Sequence, residues 1–373
     1  MAITAGSDIL ASDFITTSAG SGDAAKVSKL NGFGFIDSLN YMDKGWGDAS
    51  DGDATLDGTA TFAWASKSGS TYTLTRNVYF RTLTVNSGVI LEMGGYAAFG
   101  YRCTGAGTIR DNGNAGGNAS GGTAGAAGTA RSAGYYAANT AGVIGGAGVA
   151  NNVGNNGTNG TAVNPSIGVS GVAGGNGGVL SSAGAPYNTA KTGGTAGTAT
   201  SENVQLNRDH QGFNLTSGSV DTVTAVWRCV AATSGRVLSV SAGSGSGASG
   251  NATFISSGGT GGGGGGSGAA GGIVHLCFYI IDGTLAIEAK GGVGGNGAAG
   301  SGDAGGGGGG GGGPGGVVLL IYFSLGGSVT ISVAGGAAGT GGAAGGGSGS
   351  PTAGSAGTAG TTGKIYKVNM TKV

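Results

Sequence analysis

"GGVVLLIYFSLGGSVTISVAGGAAGTG", residues 315–341, contains in one stretch each structural signal that recurs along this chain. An apolar run is followed by a Gly-Gly turn, then by a run that alternates polar and apolar residues, and then by a glycine tract. Runs rich in β-branched and aromatic residues and bounded by glycine predict two strands joined by a tight turn. Because the first run is apolar at every position, it is expected to be buried on both faces, whereas the second is expected to be half-exposed.

The same unit occurs a second time upstream. Residues 271–297, "GGIVHLCFYIIDGTLAIEAKGGVGGNG", align without a gap on 315–341, so that residue 315 falls on residue 271, an offset of 44. The match runs through both predicted strands and continues into the glycine tract, which two unrelated hairpins would not do. Self-similarity of this kind predicts a structural unit that is used more than once.

Glycine keeps a period of three in the tracts. A flexible linker has no reason to keep such a phase, whereas three residues per turn is the period of the left-handed polyproline-II-type helix. That helix makes no internal hydrogen bonds, so its backbone groups must bond to neighbouring chains. The period therefore predicts polyglycine-type helices lying side by side, with Gly305–Gly313 enclosed by neighbours; irregular glycine loops are the alternative. The complete runs are 168–171–174–177, 291–294–297–300, 336–339–342–345 and 354–357–360–363, and the runs 113–134 and 142–160 are interrupted at Ala119, Arg131 and Asn151.

Composition excludes several classes of protein. The chain has 373 residues with 93 Gly but only 4 Pro, so the proline of a collagen-like repeat is missing. With 17 basic and 17 acidic residues there is no basic stripe, and nucleic acid is not expected as a partner. The longest apolar run, 317–323, is far shorter than a membrane span, so membrane insertion is not expected either. These features favour a mostly β fold combined with polyglycine-II-type left-handed helices and almost no α-helix.

Glycine tracts phased by three and interrupted by variable polar and aromatic inserts resemble the distal tail-fibre adhesins of T-even-like bacteriophages. The resemblance covers roughly residues 111–363 and rests on this pattern. Members of that family stack polyglycine-type helices into a sandwich and carry host-receptor loops at its tip. The present chain departs from them in its length, in a strand-rich block at 54–110 and in the 44-residue duplication.

The resemblance implies a virion protein of the tail fibre or tail tip, synthesised in the host cytoplasm, that binds a host surface protein or glycan without chemistry. Other phage tail proteins and further copies of the chain, for instance in a trimer, are the expected partners. Under this interpretation residues 1–53 attach the protein to the virion, 54–110 form a β-rich neck, and 111–373 form a glycine-rich helix and strand sandwich with variable loops.

Function is then expected in the inserts, because binding residues concentrate on loops that a rigid scaffold presents. The inserts at 131–140, 181–191 and 200–236 offer aromatic, Asn and Arg side chains, the residue types of interface anchors and adaptable paratopes. The alternative is that these side chains pack against strand edges or a neighbouring subunit. The predicted receptor-binding residues are Tyr135, Tyr136, Tyr187, Asn188, Asn207, Arg208, His210 and Phe213.

No catalytic, cofactor or metal site is predicted. GxGxxG occurs repeatedly, as a glycine-rich chain produces it by chance, and the Gly-Lys pair at Lys364 lacks the Ser or Thr of a phosphate loop. The acidic stretch 48–58 lacks the ligand order of a calcium loop. An odd number of cysteines without CxxC spacing predicts buried thiols and no disulfide framework, and His275 in an apolar run is expected in the core.

Three other functions remain open from the sequence. One is a structural or decoration protein of a virion or cell surface, whose inserts contact only neighbouring subunits. Another is a tail-spike-like glycan depolymerase, for which Glu202 and Asp209 are candidate carboxylates. The last is an ice-binding protein, which predicts flat faces of repeated small residues and fits the irregular inserts poorly.

Overall fold

The computed structural model describes residues 46–47, 49–131, 134, 174–177, 260–347 and 350–369, and five further strands by their backbone alone. Helical conformation is confined to Trp46 among these residues, so the described chain is rich in strands and nearly free of helix, as predicted. The strands are β1 (Asp53–Leu56), β2 (Ala65–Ser68), β3 (Thr71–Leu74), β4 (Val78–Val85), β5 (Ile90–Glu92), β6 (Ala97–Gly105), β7 (Thr108–Arg110), β8 (Val163–Val169), β9 (Ala199–Ser201), β10 (Val204–Arg208), β11 (Gln211–Leu215), β12 (Ser241–Gly243), β13 (Ile273–Ile281), β14 (Ala286–Glu288), β15 (Val317–Leu325), β16 (Thr330–Ser332) and β17 (Lys364–Asn369).

Two six-stranded sheets hold most of these strands. The first has the order β1-β4-β6-β13-β15-β17 and is parallel throughout. The second has the order β16-β14-β7-β5-β3-β2, in which only β2 runs antiparallel to its neighbour. The pairs β4 and β5, β6 and β7, β13 and β14, and β15 and β16 each give one strand to either sheet. We call such a pair, with any glycine tracts that follow it, a coil, and the coils together the stack.

The sequence repeat corresponds to two adjacent coils. Strand β13 pairs with β15 from Ile273 opposite Val317 to Ile281 opposite Leu325. In the second sheet Ala286 of β14 lies opposite Thr330 of β16. Both registers equal the offset of 44 in the sequence, so the prediction of a repeated structural unit is confirmed.

The core lies between the two sheets. Val274, Leu276 and Phe278 of β13 and Ile287 of β14 are fully buried in one cluster that spans both sheets. Burying one such side chain contributes about 1.5–3 kcal/mol. Residues of β13 that point away from this cluster are buried as well; they include His275 and Cys277. Burial on both faces of this strand, and of these two side chains, is therefore confirmed.

The glycine tracts lie outside the sheets, and after β14 and after β16 they form an outgoing and a returning segment. After β14 the chain runs out through 289–300 and returns through 303–316 to β15, with Gly302 in the left-handed region at the turn (φ 57°). The two segments are antiparallel and joined by backbone hydrogen bonds at every third residue. The N–H groups of Gly307, Gly310, Gly313 and Gly316 donate to the carbonyls of Ala298, Gly295, Gly292 and Ala289.

Tracts of successive coils are also bonded to one another, in parallel. Outgoing tract 289–300 donates to outgoing tract 333–345, and returning tract 303–316 donates to returning tract 352–363, again at every third residue. The phased glycines of the sequence are the donors. The N–H groups of Gly291, Gly294, Gly297 and Gly300 donate to the carbonyls of Ala334, Ala337, Thr340 and Ala343.

Glycine occurs where a tract has a close neighbour. A Cβ on Gly336 would overlap the carbonyl oxygen of Gly292, and one on Gly309 would overlap that of Gly339. Residues 304–316 are buried throughout, which confirms that Gly305–Gly313 is enclosed by other parts of the chain. Tract 352–363, by contrast, has glycine only at every third residue, with exposed Ala, Ser and Thr between.

The predicted domains share these sheets. Strands β4 and β6 of the predicted neck lie in the same sheet as β13 and β15, so the boundary at 110/111 falls within the stack. Of the predicted attachment segment 1–53, residues 1–45 and 48 lie outside the described residues. The assignment of functions to these segments stays a prediction.

Candidate functional site

The insert sequences all lie in one segment between two neighbouring coils. Coil β6–β7 is followed by glycine tracts that reach Arg131, and the tract 260–272 leads into β13. Described residues 174–177 within this segment are bonded to the tracts, since the N–H of Gly175 donates to the carbonyl of Gly309. We call residues 132–259 the insertion. All eight predicted receptor-binding residues lie in it, between coils that are adjacent in both sheets.

The structure brings three of these residues into one hairpin. Asn207 and Arg208 lie in β10 and Phe213 lies in β11, and these strands pair antiparallel with Arg208 opposite Gln211. Elsewhere in the insertion, β8 lies between β9 and β12 in a parallel sheet. The remaining predicted residues lie outside the described residues: Tyr135, Tyr136, Tyr187, Asn188 and His210. A receptor-binding role for all eight stays a prediction.

An exposed row of aromatic rings, which sequence reasoning missed, crosses the outer face of the first sheet. Tyr101 of β6, Tyr279 of β13 and Phe323 of β15 occupy neighbouring strands. Ring centroids are 5.1 Å apart for Tyr101 and Tyr279 and 4.6 Å for Tyr279 and Phe323, with the rings nearly parallel. Tyr101 and Phe323 are 40% and 37% exposed. The repeat carried a usable signal, because Tyr279 aligns with Phe323 at the offset of 44.

Buried charges lie where the chain leaves two strands of the second sheet, β5 and β7, and sequence reasoning missed these too. Glu92 is the last residue of β5, and Asp111 comes directly after β7. Both carboxylates are buried. Arg131 pairs with both, with Nη1 at 3.0 Å from Glu92 Oε2 and Nε at 3.3 Å from Asp111 Oδ1. Arg110 Nε lies 2.5 Å from Glu92 Oε1. We call these four residues the charge cluster; its sequence signal is that Arg131 interrupts a glycine phase.

Burial dominates the electrostatics of Asp111. It raises the pKa of this carboxyl to about 6, against the opposing effect of Arg131 and of the N–H of Ile273, which donates to Oδ2 at 3.2 Å. Arg131 Nε also donates to the carbonyl of Asn112 at 2.7 Å. The cluster therefore ties Arg131 to the ends of β5 and β7.

The outgoing tracts expose rows of residues that lie in register. Ala115, Val293 and Ala337 form an exposed row across three tracts. A second row is held by side chains, since Asn118 Oδ1 accepts from the N–H of Asn296 at 2.8 Å and Asn296 Oδ1 accepts from that of Thr340 at 2.9 Å. We call this surface the tract face. It has a regular three-residue repeat along each tract.

The described residues contain no group of three or more His, Cys, Asp or Glu side chains that could hold a metal ion. Nor does any helix among them combine the length and the apolar character needed to cross a bilayer. Comparison with protein-family models, with curated proteins and with solved structures finds no match to the chain.

Proposed function

We propose that the glycine tracts are polyglycine-II-type left-handed helices, packed side by side into a sandwich that continues the strand-built stack. Donation at every third residue supports this proposal, because a three-residue helix directs successive N–H groups to different neighbours. So does the absence of positive φ from residues 303–316, since left-handed polyproline-type helices have negative φ. Fibre diffraction from oriented full-length protein tests it: a repeat of about 3.1 Å per residue is expected along the tracts.

The function that fits such a scaffold best is that of a bacteriophage tail-fibre or tail-tip adhesin, located on the virion and acting without catalysis. The observation that carries this proposal is the insertion, a long segment between two adjacent coils of a laterally bonded stack, which contains every predicted receptor-binding residue. Rigid presentation of variable loops lowers the entropic cost of binding. Several copies on one particle would convert weak contacts with a host protein or glycan into avidity.

Binding to host cells tests the adhesin function. Full-length protein carrying a fluorescent label is incubated with a panel of bacterial strains, and the same protein is tested for inhibition of infection by phages of those strains. Replacing Tyr135, Tyr136 and Tyr187 by Ala is expected to abolish binding. Tyr101→Ala, on the outer face of the stack, is the matched control and is expected to bind normally.

The rival functions give different outcomes in the same assay. A structural virion protein would bind no strain at micromolar concentration, which would contradict the adhesin proposal. A depolymerase would release oligosaccharides from host polysaccharide, and Glu202→Gln or Asp209→Asn would stop the release. Binding without release is the result that the adhesin proposal requires.

Ice binding is a second candidate because the tract face repeats exposed residues at regular intervals. Its exposed Ala115, Val293 and Ala337 lie in register on parallel tracts, as repeated contacts with a lattice would need. Thermal hysteresis of the full-length protein tests this function. Ala337→Lys should abolish the hysteresis, and Ala356→Lys, at an exposed position on another tract, should leave it unchanged; no hysteresis in the unaltered protein excludes the candidate.

A further inference from the structure

The coil β15–β16 differs from the preceding coil on the side where a further coil would lie. Its returning tract, 352–363, leads into β17. Among the described strands, β17 is the last of the first sheet and β16 is the last of the second. Strand β8 of the insertion lies near β17 but is not paired with it. We propose that tract 352–363 and β17 form a cap, whose side chains prevent a second copy of the chain from adding to this end of the stack.

Backbone hydrogen bonds identify the equivalent positions of the two returning tracts. The N–H of Gly310 donates to Gly295 of its own outgoing tract. The N–H of Gly357 donates to Gly339, which aligns with Gly295 at the offset of 44. Residue 357 therefore falls on residue 310, an offset of 47 between the returning tracts.

Glycine is lost in tract 352–363 at the positions that face a next coil. In the preceding tract, the N–H of Gly309 donates to Ser355 of the next returning tract, and a Cβ on Gly309 would overlap the carbonyl oxygen of Gly339 in the next outgoing tract. The counterpart of Gly309 is Ala356, whose Cβ thus occupies the space that a further outgoing tract would need. All four such positions carry exposed side chains: Gly306, Gly309, Gly312 and Gly315 correspond to Ala353, Ala356, Ala359 and Thr362.

Strand β17 has a charged residue where the preceding strands have core residues. Leu276 of β13 lies opposite Leu320 of β15, and Leu320 lies opposite Lys367 of β17. Both leucines are fully buried between the sheets, whereas Lys367 is only partly buried. A further pair of strands would have to bury its ammonium group, which is costly without a partner. An inward-facing charge on an edge strand therefore opposes the addition of another strand.

The interior coils show why such an end needs protection. Each bonds to the next in a constant register, through parallel strands and through N–H groups at every third residue. A repeat that presents this bonding surface to solvent is a template for further coils, including those of another molecule. Tract 352–363 and β17 carry two independent changes from the repeat, and both act against that addition.

Sedimentation velocity of the full-length protein over a range of concentrations tests the cap. An open-end variant receives the residue types of the preceding coil at five positions: Ala353→Gly, Ala356→Gly, Ala359→Gly, Thr362→Gly and Lys367→Leu. We expect its weight-average mass at least to double at micromolar concentration, whereas that of the unaltered protein stays constant. The proposal is overturned if the variant keeps the mass of the unaltered protein, or if the unaltered protein grows to the same extent.

Two further variants separate the cap from a general gain of apolar surface. The four glycine replacements without Lys367→Leu remove methyl groups, so any growth in mass must come from the tract backbone. Growth in the same direction but smaller is expected, and this variant serves alone if Lys367→Leu does not fold. If only the variant with Lys367→Leu grows, the tract is not part of a cap and the proposal is wrong.

The matched control removes the same side chains, three Ala and one Thr, from exposed positions of the outgoing tract 333–345. Its replacements are Ala334→Gly, Ala337→Gly, Thr340→Gly and Ala343→Gly. The corresponding positions of the preceding outgoing tract keep side chains although a coil follows, so they do not control addition, and the control should keep the mass of the unaltered protein. Equal growth in both four-glycine variants would contradict the cap. None of these outcomes depends on what the insertion binds.

Discussion

The strand half and the glycine half of one coil are stabilised in opposite ways. Between the sheets, stability comes from side chains such as Leu276, Phe278 and Ile287, which exclude water from a common core. Among the tracts it comes from backbone hydrogen bonds, and the side chain is what must be absent, as at Gly309 and Gly336. Each bond adds only about 0.5–1.5 kcal/mol and ordering glycine is costly, so the tracts are stable only as a set. The strand half is therefore expected to be sensitive to the loss of buried side chains, and the glycine half to the addition of side chains.

The largest effect is expected in the strand half, from Phe278→Ala. Phe278 is completely buried and its ring fills the space above Gly100, so truncation leaves a cavity that the sheets cannot close. We expect a loss of about 3–5 kcal/mol in the free energy of unfolding, measured by denaturant titration. Phe323→Ala, at an exposed position in the adjacent strand, is the control and should cost less than about 1 kcal/mol. Equal losses would mean that the strand half is not held by its core.

The next effect tests whether the tracts require the absence of side chains. Gly310→Ala adds a single carbon where a Cβ would overlap the carbonyl oxygen of Gly266, and the rigid neighbouring backbone cannot yield easily. The expected cost is about 1–3 kcal/mol, although alanine is otherwise favoured over glycine in most structures. Ala337→Val enlarges an exposed tract residue and should change stability by less than about 0.5 kcal/mol. A neutral Gly310→Ala would show that the tracts are loosely packed.

A smaller effect should come from a place where a side chain joins two tracts. Asn296→Ala removes the oxygen that accepts from the N–H of Thr340 on the tract face. Because the site is exposed, water replaces the lost partner, and a cost of about 1 kcal/mol or less is expected. Hydrogen exchange at Thr340 should accelerate while that at Gly339, whose N–H donates to Gly310, stays slow. Acceleration at both residues would mean that the tracts open together.

These two rules explain which features the sequence predicted. Strand pairs, their register and the burial of β13 follow from apolar patterns that repeat at an offset of 44, and the lateral donors follow from the phase of glycine. The charge cluster was not predictable, because it joins Glu92, Asp111 and Arg131 from three separate segments whose proximity only the stacking of coils creates. The aromatic row was predictable in part. The repeat aligns Tyr279 with Phe323, but it contains no residue that aligns with Tyr101.

The smallest predicted effect separates the two halves by their response to acid. Asp57, in the turn after β1, accepts from the N–H groups of Thr59 and Ala60 at 2.7 and 2.8 Å, and these bonds lower its pKa to about 2. A carboxyl whose pKa is lowered by folding stabilises the fold above its unfolded pKa of 3.8, and this contribution is lost as the pH falls towards 2.

Lowering the pH from 5 to 2 should therefore lower the Tm of the unaltered protein more steeply than that of Asp57→Asn, which cannot titrate at this position. Thermal unfolding at a series of pH values measures both curves. Tracts 260–272 and 304–316 contain no ionisable side chain, so the relative hydrogen exchange of their amides should stay constant over the same range. Parallel Tm curves for the two proteins would remove Asp57 as a source of acid sensitivity. If the tract amides instead lose protection together with the strands, the two halves unfold as one cooperative unit in acid, in spite of their different stabilisation.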